Sequence, residues 1–146
     1  MDDWTIRRAV PEDAAALTAC FARAYAPHAH LPDLPPVTRG IGDDIANHYV
    51  WLAERGDEVL GGAVLVIGPG SAKLSNICVD PGAARNGIGR ALLRLIEAEA
   101  RAWGAQAVTL TTHAEMEETR RFYDHLGWRE TGRSGNRVYM EKPLPG

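Results

Sequence analysis

The sequence predicts a single α/β domain, in the α+β sense: a mixed sheet with helices on both faces. Three observations lead there. The chain has 146 residues, within the about 100–200 expected of one domain. Its segments run β-α-(loop/α)-β-β-β-α-β-α-β-β, so strands first meander and then alternate with helices. The strand at 72–79 is joined to the strand at 106–112 by a whole amphipathic helix, the kind of connection that makes two strands parallel. No repeat, low-complexity tract or composition shift divides 1–146, which is read as one domain.

Each element has its own signal. WTIRRAV (4–10) is the first strand. Pro11 opens a helix in which Leu17, Cys20, Phe21 and Ala24 recur at helical spacing. Proline suits a first turn, and Glu12 and Asp13 stand at the positive end of that helix dipole. The four prolines of 26–40 forbid one regular element there, and a short helix is expected at 41–48. YVWLAE and EVLGGAVLVIG are strands joined at Arg55-Gly56-Asp57, a hairpin signal. AKLSNICV is a further strand whose alternation is only partial.

In the next helix Ile88, Leu92, Leu95, Ile96 and Trp103 are expected on one face, with Arg90, Arg94, Glu97 and Arg101 on the other. Gly104 stands at the left-handed cap position. AVTLTTH is a compact strand. AEMEETRRFYDHLG is a helix with Met116, Thr119, Phe122, Tyr123 and Leu126 on one side and Gly127 closing it. WRETGR and RVYMEK, parted by Ser134-Gly135-Asn136, form a second hairpin.

The bulk numbers exclude several classes. Apolar content of 45% with 24% charged residues is that of a soluble globular protein. A net charge of −3 argues against a general nucleic-acid binder. The start, Met1-Asp2-Asp3, lacks the basic and apolar regions of a signal peptide, and no apolar run nears the ~20 residues of a membrane span. A cytoplasmic location without membrane contact is expected. Cys20 and Cys78 show neither metal-ligand nor redox spacing and are read as free buried thiols, Cys78 as packing. His28, His30 and Asp33 lie in a proline-rich stretch with no helix to fix a ligand geometry, so no metal is expected.

The informative stretch is VDPGAARNGIGRALL, residues 79–93. The first amides of a helix have no intrahelical partner, and successive N–H groups of a glycine turn can form a nest for an anion. Gly87 and Gly89 carry no Cβ, so a phosphate could approach the amides of 86–90, helped by the helix dipole and by Arg85 and Arg90. On these residues alone a tight strand-to-helix turn with solvated arginines fits equally well. Two phosphate loops are excluded. A dinucleotide fingerprint needs a third glycine where Leu92 stands, and a nucleoside-triphosphate loop needs Gly-Lys-Ser/Thr where Gly89-Arg90-Ala91 stands.

LSNICVDPGAARNGIGRALL resembles the acetyl-CoA motif of the GNAT acetyltransferase superfamily: a strand ending in Val-x-Pro, then Arg/Gln-x-x-Gly-x-Gly/Ala and a helix. TRRFYDHLGW resembles the family's later A-x-x-x-Y-x-x-x-G-F segment. The resemblance implies a mostly antiparallel sheet of about seven strands with one parallel pair splayed apart, often at a bulge. It implies acetyl-CoA as cosubstrate. Backbone groups of Ile77, Cys78 and Val79 would pair with the pantetheine arm, and amides of Arg85, Asn86, Gly87, Ile88, Gly89 and Arg90 would hold the pyrophosphate. Tyr123 would serve the leaving thiolate. The sequence also departs from the pattern, with Ala84 where Arg or Gln is usual, Arg85 one place late, and Met116 where an Asn is frequent.

The implied chemistry is acetyl transfer to an amine by direct attack in a ternary complex. A backbone N–H such as that of Val79 would polarise the carbonyl. No carboxylate stands in Leu74-Ser75-Asn76-Ile77-Cys78, so the base is unassigned among His113, Glu54 and Asp80. The loop at 25–48 would wall the acceptor site, with Tyr25, His28 and Tyr49 lining it and Asp33, Asp43 and Asp44 drawing a cation. A small-molecule amine is the expected acceptor. A protein N-terminus or lysine, and a non-catalytic acyl-CoA sensor, remain the alternatives. A homodimer through the C-terminal strands is the assembly usual for such a fold.

Overall fold

The structure, a computed structural model, describes residues 3–32 and 39–145. Seven strands form one sheet: β1 (Thr5–Arg8), β2 (Tyr49–Arg55), β3 (Glu58–Gly68), β4 (Ser71–Val79), β5 (Ala107–His113), β6 (Arg129–Ser134) and β7 (Arg137–Pro143). Their order is β1-β2-β3-β4-β5-β7-β6, antiparallel throughout except for the central β4–β5 pair. The helices are α1 (Ala14–Tyr25), α2 (Ile41–Asn47), α3 (Ile88–Ala102) and α4 (Glu117–His125). None of the described helices is long and apolar enough to cross a membrane.

The sheet separates two cores. On one side Leu17, Cys20 and Phe21 of α1 and Ile41 of α2 pack on Val50, Leu52, Val64 and Cys78. On the other, Leu92, Leu93 and Ile96 of α3 meet Leu65, Leu74 and Leu110, and Tyr123 and Trp128 close the same core. The helical faces differ in detail from the expected ones. Leu95 and Trp103 are exposed, while Leu93 and Ala100 are buried. The contact face follows Ile88, Leu92, Ile96 and Ala100, four residues apart, and Ala100 was too small to mark it in the sequence.

One guanidinium fixes where α1 starts. Arg7 of β1 reaches both carboxylate oxygens of Asp13 at 2.8 and 2.9 Å and Glu54 of β2 at 2.9 Å. The same Asp13 accepts the Val10 N–H at 2.7 Å, across the 3-10 turn Pro11–Asp13 that leads into α1. A forked, charge-assisted contact of this kind sets direction as well as energy. The far end of α1 therefore lies over β4, where Tyr25 projects.

β4 carries the irregularity that matters. Leu65 of β3 stands opposite Leu74, but Val64 stands opposite Asn76, so Ser75 is an extra residue, a bulge. It shifts the alternation by one. Ala72 and Leu74 face the α3 core; beyond the bulge Ile77 and Val79 face it, and Cys78 points to the α1 core. This is why AKLSNICV alternates only in part.

Candidate active site

Beside the bulge the parallel strands part. β4 and β5 share one register pair, Lys73 with Thr109, with the Thr109 hydroxyl donating to the Ala72 carbonyl at 3.5 Å. Past that point the inner edges of 74–79 and 110–113 have no ladder partner in each other. The cleft so formed opens into a cavity of about 660 Å³. Its walls are residues 74–79 of β4, 110–112 of β5, the start of α3 and one face of α4.

The residues singled out from the sequence converge on it. Ile77, Cys78, Val79, Arg85, Gly87, Ile88, Gly89, Arg90 and Tyr123 all line the cavity; Asn86 lies exposed between two of them and is not part of the lining. Asp80 caps the 3-10 turn Pro81–Ala83 by accepting the Gly82 N–H at 2.9 Å, which ends β4 and starts the loop. Arg85 and Gly87 then both adopt positive φ, 68° and 82°. Alternating left-handed residues turn successive amides inward, the geometry of an anion nest. For Arg85 that conformation costs about 1 kcal/mol or more.

The two glycines serve different ends. Gly87 caps α3 in the left-handed region, and a Cβ there would meet nothing within 4 Å. Its requirement is conformational. Gly89 has no such φ, but a Cβ would stand 3.4 Å from the Phe122 ring and 3.6 Å from Val79 Cγ2. It keeps open a narrow passage between β4, α3 and α4. Arg85, Arg90 and Arg94 are exposed near this helix start, and none forms an ion pair among the described residues. Three uncompensated guanidiniums around a nest form a field suited to a polyanion.

Tyr123 stands on the α4 wall, 4% exposed, its ring held against Trp128 at 5.5 Å and Phe122 at 5.7 Å between centroids. Burial, and after it the Tyr25 phenol, keeps its hydroxyl well above the ordinary phenol value. It is therefore a protonated donor at neutral pH. Tyr25 enters from α1, within 3.4 Å of both Asn76 Oδ1 and the Ile77 carbonyl. Burial, and then Cys78, pushes its phenol up to about 12.

The three base candidates are occupied elsewhere. His113 is 5% exposed; its Nε2 lies 2.6 Å from the Pro32 carbonyl and its Nδ1 accepts the Glu115 N–H at 3.1 Å. A carbonyl only accepts, so Nε2 carries the proton and neither nitrogen is left for substrate. Glu54 belongs to the Arg7 contact, and Asp80 is held by Arg23 at 2.7 Å. Tyr49 corrects an expectation: it lies on the α3 side, stacked on Trp51 at 6.2 Å with Arg8 above it at 4.8 Å, and not in the cavity. His28 sits edge-on to Tyr25 at 6.4 Å without lining the cavity. Asp33 lies outside the described residues, and among those described no His, Cys, Asp or Glu cluster suits a metal.

Thr111, Thr112, Glu118, Thr119 and Phe122 also line the cleft and were not foreseen as site residues. For Thr111 and Thr112 the signal was present, since polar residues recur in a strand that must be central. Glu118 is the one carboxylate in that lining among the described residues.

A sheet split at a bulge, beside a glycine-capped helix start, is a cleft that can take an extended ligand ending in a polyanion. The chain belongs to the acetyltransferase (GNAT) family, whose model matches residues 16–128. Acetyl-CoA is the cosubstrate of that family. No curated protein is matched by its sequence. Solved structures are matched over nearly the whole chain. PaiA N-acetyltransferase from Thermoplasma acidophilum, in complex with coenzyme A, is 19% identical with a TM-score of 0.86, covering 99% of this chain and 100% of its own. The ribosomal-protein-S18-alanine N-acetyltransferase of Escherichia coli is 21% identical with a TM-score of 0.78, covering 97% and 94%. Nourseothricin acetyltransferase is 20% identical with a TM-score of 0.76, covering 99% and 100%. At these identities the likeness is one of fold.

Proposed function

We propose that this single domain is an N-acetyltransferase that moves the acetyl group of acetyl-CoA to the amine of a small molecule within a ternary complex. The observation that carries this reading is the parting of β4 and β5 after a single register pair, beside an arginine-flanked nest. The cosubstrate supplies an activated thioester carbonyl and a thiolate leaving group. The chain supplies the rest.

Ile77, Cys78 and Val79 offer the unpaired backbone edge of β4 to the pantetheine arm, as an added strand would use it. Amides from Arg85 to Arg90 take the pyrophosphate, with Arg85 standing in for the side chain absent at Ala84. The Val79 N–H is aimed at the charge that develops on the carbonyl oxygen. Tyr123 donates a hydrogen bond to the departing sulfur. A thiol has a reference pKa of about 8.5 and this phenol lies far above it, so full proton transfer is uphill and the hydrogen bond is the contribution. His113, Glu54 and Asp80 being engaged, the amine delivers its proton to water in the cleft. Holding both reactants in one cleft supplies much of the rate through orientation.

Tyr25 gives the acceptor side an aromatic wall with a hydroxyl, a feature that fits a compact amine. The reading also includes a cytoplasmic location, no nucleic-acid partner and a homodimer through the C-terminal strands.

The test is calorimetric titration of the purified protein with acetyl-CoA, followed by a panel of small amines and N-terminal peptides with detection of released thiol. Binding with turnover of small amines is the expected result. Turnover of peptides alone would move the acceptor to a protein, and binding without any turnover would make the chain a sensor. Absence of binding by the folded protein would overturn the reading.

A further inference from the structure

Cys20 and Cys78 are 58 positions apart, yet their sulfurs stand 3.7 Å from each other, with the Cys78 S–H pointing at Cys20. Two features bring them together. The Ser75 bulge turns Cys78 toward the α1 side of the sheet. Gly62, directly opposite Cys78 on β3, lets α1 sit close: a Cβ there would fall 2.5 Å from Leu17 Cδ1. Both thiols are free and buried, and Cys78 also belongs to the lining of the cleft, the side from which a small solute would approach the pair.

We infer that Cys20 and Cys78 form a redox modification site, closing to an intrachain disulfide when a small hydroperoxide enters the cleft. The atoms balance in two steps. One thiol sulfur attacks the peroxide, the O–O bond breaks, and a sulfenic acid and one water (or alcohol) result. The second thiol then attacks the sulfenic sulfur, the S–S bond forms and a second water leaves. The peroxide is reduced by two electrons and the thiol pair is oxidised by two. The sulfurs, 3.7 Å apart, have to close to the about 2.05 Å of a disulfide.

Other features of the pair favour the chemistry. The hydrogen bond from Cys78 lowers the Cys20 thiol from its ordinary value; burial opposes this, and the Arg23 guanidinium one turn on assists it. Burial raises the Cys78 thiol, which suits a sulfur that keeps its proton while its neighbour reacts. The bond would tie the splayed strand to the helix that carries Tyr25.

The experiment uses the whole chain, reduced and freed of reductant, treated with hydrogen peroxide while circular dichroism confirms that it stays folded. The expected product is a monomer lighter by two hydrogens, with tryptic peptides 9–23 and 74–85 joined until dithiothreitol is added. Cys20→Ser and Cys78→Ser should each abolish the joined peptide. If either variant fails to fold, the peptide map of the wild type still decides. Two thiols that survive peroxide in the folded protein, separate oxidation of each cysteine without a link, or links only between chains would each overturn the proposal.

Discussion

Substitutions at Gly87 and Gly89 should separate folding from binding, because the two positions lack a side chain for different reasons. Gly87 holds φ of 82° with open space around it. Gly87→Ala therefore creates no clash but carries the left-handed penalty of about 1–2 kcal/mol. For a chain of this length that lowers Tm by roughly 2–4 °C per kcal/mol. Gly89 has the reverse character. A Cβ there makes ordinary contact at 3.4 and 3.6 Å, and the position is in the first turn of α3. Glutamate in a first turn favours the helix by about 0.3–1 kcal/mol, so Gly89→Glu should leave the free protein as stable as the wild type or slightly more so. Its carboxylate would extend into the passage beside the nest. A like charge about 5 Å away, at an effective dielectric constant of about 20, costs about 3 kcal/mol, or roughly two hundredfold in Kd. Calorimetry with acetyl-CoA and thermal unfolding of both variants supply the two readouts. A folded Gly89→Glu protein that binds acetyl-CoA as the wild type does would refute the assignment of this passage to the cofactor. An unchanged Tm for Gly87→Ala would refute the conformational argument.

Tyr123→Phe keeps the buried ring and removes the donor; loss of one hydrogen bond to a charged sulfur, about 1.5–3 kcal/mol, should lower kcat about ten- to a hundredfold with little change in KM for acetyl-CoA. His113→Ala leaves the Pro32 carbonyl and the Glu115 N–H without their partner, and should cost about 2–4 kcal/mol of stability while the pH profile of kcat stays as in the wild type; loss of the acidic limb, where a base becomes protonated, would restore His113 as the base. The hydrogen bonds from Arg7 hold the Asp13 carboxyl below its ordinary value. The stability it contributes is therefore complete above about pH 4 and is lost as pH falls toward the lowered value, so denaturant titrations in acid should show a shallower decline for Asp13→Asn. The oxidised thiol pair closes a loop of 58 positions, which in the chain-entropy account is worth about 4 kcal/mol, and should raise Tm relative to the same sample in dithiothreitol.

Much of the fold was legible because its signals are local. The hairpin at Gly56, the caps at Gly104 and Gly127 and the crossover helix between 79 and 107 each depend on a few adjacent residues, and each stands where the sequence placed it. The glycine loop was legible for the same reason. What escaped depends on contacts across the chain. The pairing of Cys20 with Cys78 follows from a bulge and from a glycine on a third element, neither of which spacing reveals. His113 looked available because its partners are backbone atoms, which leave no mark in the sequence. Tyr49 looked like an acceptor-loop residue because it follows α2, but strand alternation sends it to the opposite face, against Trp51 and Trp103. Phe122 looked like core, and its role opposite Gly89 appears only when α3 and α4 are set side by side.

The single extra residue at Ser75 has a reach out of proportion to its size. Removing it would put β4 back in phase with β3. Ile77 and Val79 would then exchange sides with Cys78, the thiol would turn away from α1, and the strand would regain the straight edge that β5 needs for continued pairing. The cleft and the sulfur pair are thus inherited together. Deletion of this one residue should therefore abolish both at once.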